Sequence, residues 1–183
     1  MLLLDVRSVG MQSVAEVGSM PGDTTPLPVS AGAGLRDQVL STPPEKLGFV
    51  SDPEFPDLYG VLVDWLIEDA VASILALRDG SASLYTTSTF GIIGGGENAS
   101  VRAAAQSCVH VAADCLAHSQ TITGFPLPAN DAVYFYLLTY AGVRRCVGDL
   151  DALSTGADLS APLFDAAQEV LTQLRMTMED RLT

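Results

Sequence analysis

Residues 59–88, YGVLVDWLIEDAVASILALRDGSASLYTTS, decide the fold. Two apolar runs, Tyr59 to Ile67 and Ala70 to Arg78, flank Glu68-Asp69, and Asp79-Gly80 parts the second from Ser81 to Ser88. An Asp-Gly pair between apolar runs is a strong hairpin signal, because a type I′ turn demands positive φ at both central residues. The stretch reads as a three-strand antiparallel meander. With two-residue turns at both pairs, Leu62 lies beside Leu75 and Leu84, and Asp64 lies beside Ser73 and Thr86. The opposite face then carries Val61, Val63, Trp65, Ile67, Ala72, Ile74 and Tyr85, so both faces of the meander are apolar.

Downstream, Val133 to Tyr140 and Val143 to Val147 around Ala141-Gly142 read as a second hairpin, with Phe135 and Leu137 on one side and Tyr134, Tyr136 and Leu138 on the other. Asn98 is a suitable N-cap for a helix to about His118, with Val101, Ala105, Cys108, Ala112 and Cys115 as its apolar stripe. Ser160 caps a second helix to about Glu179, with Pro162 in its first turn. The expected fold is α+β: a two-layer, five-stranded antiparallel sheet ordered β-β-β-α-β-β-α, with two main helices. It occupies residues 58–183 as a single globular domain. Upstream, Pro43-Pro44, Pro53 and Pro56 make 35–57 an extended proline-rich arm, and 1–34 reads as a flexible low-complexity tail.

Composition narrows the function. The 183 residues include 22 acidic side chains against nine basic ones, a formal charge of −13, which repels a polyphosphate backbone and argues against nucleic acid. No apolar run approaches the roughly 20 residues of a membrane span. Three cysteines, Cys108, Cys115 and Cys146, without a C-x-x-C pair suggest neither a disulfide framework nor a zinc knuckle, and place the chain in a reducing cytoplasm. One lysine beside eight arginines in an Ala- and Gly-rich chain points to a bacterium with a GC-rich genome.

Two helices cover one face of a five-strand sheet, so a second apolar face needs another cover. A copy of the chain, a different protein, or residues 35–57 folded back would each serve. Val61, Val63, Trp65, Tyr134 and Tyr136 are the interface candidates. The competing site is the loop from Phe90 to Asn98, where Gly94, Gly95 and Gly96 lead into a helix N-terminus that attracts anions. Asn98 stands at that N-terminus, and Thr86, Thr89 or Asp64 would supply polar contacts. The preceding strand belongs to a meander rather than a βαβ unit, so no dinucleotide fingerprint follows. Thr86 to Thr89 lack an adjacent base to activate a hydroxyl. His110, Asp114 and His118 share one helix face and read as a solvated surface, while Cys108 and Cys115 read as small buried hydrophobes.

No catalytic set, metal site or cofactor is expected from these residues. The sequence therefore predicts a non-enzymatic domain for homodimerisation or docking to another protein through an apolar sheet face. A protein or enzyme that binds a small anionic ligand at Gly94–Gly96 is the alternative.

Overall fold

The computed structural model describes residues 31–88, 91–93 and 96–182. In chain order these form α1 (Ala31–Ser41), β1 (Leu58–Ile67), β2 (Ala70–Leu77), β3 (Ala82–Thr86), β4 (Gly91–Ile93), α2 (Ala99–Ala112), β5 (Gln120–Thr121), β6 (Ala132–Thr139), β7 (Gly142–Asp149), α3 (Leu150–Ser154) and α4 (Ala161–Leu182). All strands join one antiparallel sheet in the order β4-β3-β2-β1-β6-β7-β5. The α+β class and the antiparallel sheet stand. Among the described residues the expected five strands and two main helices become seven strands and four helices. The added strands, β4 and β5, have three and two residues, too short to show an alternating pattern.

β1 lies at the centre, paired with β2 and β6, and is buried on both faces from Leu58 to Trp65. Such a strand reads as continuous hydrophobicity because each face meets a separate layer. On one face, Val61, Val63, Trp65, Ile74, Phe135 and Leu137 pack beneath α2 and α4. Ala104, Ala105 and Ala112 of α2, with Ala161 and Ala167 of α4, keep these helices thin where they meet that core. On the other face, Leu62, Leu75, Tyr85, Tyr136 and Leu138 join Leu40 of α1, Phe49 and Tyr59 in a second core.

The Glu68-Asp69 turn takes the expected register, with Ile67 opposite Ala70 and Asp64 opposite Ser73. The Asp79-Gly80 turn does not. Ala76 faces Ala82 and Leu77 accepts from Gly80, so the loop holds three residues, Arg78 to Gly80, with Gly80 at φ +86° and Asp79 Oδ1 accepting from the Ser81 amide. Leu75 therefore lies opposite Ser83 rather than Leu84, and Ser73 opposite Tyr85 rather than Thr86. A slip of one residue exchanges the faces of the whole strand. Leu84 joins the core beneath the helices and Tyr85 joins the other.

The helix α1 begins at Ala31, inside the expected 1–34 tail, whose first 30 residues lie outside the described ones. Beyond it, a 3-10 turn at Pro44–Leu47 replaces part of the expected extended arm. Among the described residues no helix is long and apolar enough to cross a membrane.

Candidate functional site

The cover of the second sheet face comes from the chain itself. Arg36 of α1 points down onto β1, and its Nε and Nη2 donate to Asp64 Oδ2 at 2.8 and 2.6 Å. The guanidinium also donates to the Phe125 carbonyl at 3.1 Å, the Pro126 carbonyl at 3.3 Å and Asp37 Oδ1 at 3.1 Å. The group also lies 5.3 Å from the centre of the Tyr136 ring, whose hydroxyl donates to the same Pro126 carbonyl. Arg36 is 3% exposed and Asp64 fully buried. Burial pushes the Asp64 carboxyl up, and the Arg36 hydrogen bonds and charge pull the other way.

A second arginine fastens the arm. Arg78 pairs with Asp52, donates to the Val50 carbonyl at 2.9 Å and the Tyr140 hydroxyl at 2.7 Å, and stacks near Phe49 and Phe55. Phe55 continues past the end of the sheet and stacks on His110 of α2, ring centres 4.5 Å apart. His110 is thereby a packing residue, separated in role from His118.

These contacts divide the five interface candidates. Val61, Val63 and Trp65 lie with Phe135 and Leu137 beneath α2 and α4, while Tyr134 and Tyr136 lie on the α1 side. Tyr136 is fully buried, and Tyr134 is half-buried. Tyr134 sits where the cover thins out. The Arg145 guanidinium lies 4.6 Å from its ring centre, and Val147, directly across from Tyr134 in the β6–β7 register, is 52% exposed. β5 pairs only with Arg144 and Arg145, while β7 runs on to Asp149. A shallow depression of about 520 Å³ adjoins this end, lined in part by Asn130, Asp131, Val147, Asp149 and Asp158.

At the glycine loop, Thr89, Gly94 and Gly95 lie outside the described residues. Asn98 caps α2 as expected: its Oδ1 accepts from the Ser100 amide at 2.9 Å and the Val101 amide at 3.4 Å. Two of the amides an anion would use are thus already engaged. The Gly96 carbonyl accepts two bonds from Arg102, at 3.2 and 2.6 Å, and Thr86 exchanges a 2.8 Å hydrogen bond with Ser88.

A third grouping escaped the sequence reading. After Ala112, α2 tightens into a 3-10 turn, Ala113–His118, which brings Cys115 and His118 to Cys146 of β7. One ligand-type atom from each of the three lies within 4.8 Å of the others. The Ser160 hydroxyl, 3.2 Å from His118 Nε2, sits at the same place. A hydrogen bond with Cys146 draws the Cys115 thiol down, and the same contact pushes Cys146 up. Cys108, elsewhere on α2, is raised to about 12 by burial. The signal available in the sequence was the Cys115-x-x-His118 spacing; nothing in it announced Cys146, 28 residues beyond His118.

No family model, no curated protein and no solved structure matches this chain.

Proposed function

We propose that the chain is a non-enzymatic interaction domain and that its partner is a second copy of itself, engaged at the outer end of β6 and β7. The observation that carries this reading is the half-open cluster of Tyr134, Arg145 and Val147 at the thinly covered end of the sheet. Tyrosine and arginine are the residue types that anchor interfaces, and a stacked pair is already ordered before contact. Charge favours self-pairing. Arg145, Val147 and Asp149 alternate onto one face of β7, so a two-fold axis through Val147 sets each copy's Arg145 against the other's Asp149. A contact of this kind is closed and self-limiting.

The carboxylate in the centre of the sheet argues against a catalytic role. Asp64 is enclosed and already bridged to Arg36, so it has no route to a substrate.

Sedimentation velocity of the full chain tests the reading. A concentration-dependent dimer is expected, weakened by salt because Asp149 is exposed and Arg145 only half-buried, so the pair stays open to screening. Val147→Glu, at a half-exposed position, is expected to give a folded monomer. A wild-type chain that stays monomeric at its highest soluble concentration would overturn the proposal, as would a Val147→Glu dimer as tight as the wild type.

A further inference from the structure

We propose that Cys115, His118 and Cys146, completed by the Ser160 hydroxyl, form a tetrahedral site for a divalent cation of the zinc class. The three side-chain donors come from the 3-10 turn after α2 and from β7, and the hydroxyl from the residue before α4. In a 3-10 helix residues three apart eclipse, so the tightening at Ala113 aligns Cys115 directly with His118. Cys146 pairs with Phe135, which places its side chain on the α2–α4 side of the sheet, toward that turn. The 4.8 Å limit on all three donor separations suits one small ion. The 3.2 Å between His118 Nε2 and Ser160 Oγ is close to the roughly 3.3 Å that two light donors subtend on tetrahedral zinc with bonds of about 2.0–2.1 Å.

Chemistry selects the ion. Two thiolates and an imidazole are borderline-soft donors that suit zinc and its cobalt analogue, and they discriminate against calcium and magnesium, which take oxygen. Two thiolates neutralise a double positive charge, so the bound centre carries no net charge at a site where both cysteines are nearly dry, 2% and 4% exposed. His118 stands at the exposed rim and gives the ion a way in. Asp114 and Asp158 lie within electrostatic reach of the thiols and add to the cation-attracting field of a chain with net charge −13. Bound there, the ion ties the end of α2 to β7 and to the start of α4. This role is independent of self-association.

The test is a titration of the reduced, chelator-stripped full chain with Co(II). One cobalt per chain is expected, with a thiolate-to-cobalt charge-transfer band, the intense visible bands of tetrahedral cobalt, and bleaching by one equivalent of Zn(II). Ser160→Ala is expected to weaken binding about 10–100-fold, and the exposed His118→Ala at least as much. Cys146→Ala is expected to lose the tetrahedral spectrum, and Cys108→Ala, which alters a buried thiol outside the cluster, to keep it. A natively folded chain that takes up no cobalt would overturn the proposal. A pale octahedral spectrum, or His118→Ala and Cys146→Ala titrating like the wild type, would overturn it equally.

Discussion

Asp64 sits in the middle of an otherwise apolar strand, where an unpaired charge would cost several kcal/mol of desolvation. Arg36 supplies the counter-charge from 28 residues upstream, and the Phe125 and Pro126 carbonyls and Asp37 accept from its other donors. Removing one partner leaves the other buried and alone. Arg36→Ala is therefore expected to lower unfolding stability by about 3–5 kcal/mol, read from the denaturant midpoint. The double change Arg36→Met with Asp64→Leu is expected to recover most of that loss, because no charge remains buried. A polar row containing Asp64 was legible in the sequence, but its partner was not. Nothing local to a short helix with two glycines in its first turn reports which strand it will cross.

Among the elements, the β2–β3 connection shows most clearly where sequence reading gave way to geometry. The Asp-Gly pair signalled a turn correctly, yet a two-residue and a three-residue loop share that signal and differ in register by one residue. The loop adopted places Gly80 at φ +86°, and an added Cβ there would come within 2.0 Å of Arg102 Cγ and 3.1 Å of its Cα. Gly80→Ala is expected to cost about 1–3 kcal/mol in thermal or denaturant unfolding, from left-handed strain and the displaced arginine stem. The Glu68-Asp69 turn, the existence of the β6–β7 hairpin and the Asn98 cap were readable because each depends on adjacent residues, although the hairpin turns at Tyr140-Ala141 rather than at the expected Ala141-Gly142. β4, β5 and the tightening of α2 into a 3-10 turn depend on what those segments pack against. The cysteine–histidine cluster depends on that last feature, which hid it.

At the scale of the whole molecule, the sequence shows a second apolar face, and residues 35–57 folded back are one of its three possible covers. The structure shows that cover in place, fastened by Arg36 at one end and Arg78 at the other. What the cover leaves open is smaller than a full sheet face and lies at its β7 end. The shift of the binding surface from Val61, Val63 and Trp65 to Tyr134, Arg145 and Val147 follows from that placement. The strongly acidic balance sets a further condition: two chains of the same sign approach only where an arginine offsets the carboxylates around it. Arg145, with Val147 and Asp149 following it on the same face of β7, meets that condition.

A residue on a two-fold axis meets itself, so the most direct measurement is disulfide cross-linking of the full chain carrying Val147→Cys under mild oxidation. The native cysteines are all buried and do not compete. The account predicts a covalent dimer from Val147→Cys and none from Met176→Cys, which is similarly exposed, 54%, but lies on α4. Equal cross-linking at the two positions, or none at Val147→Cys in a folded chain, would contradict it.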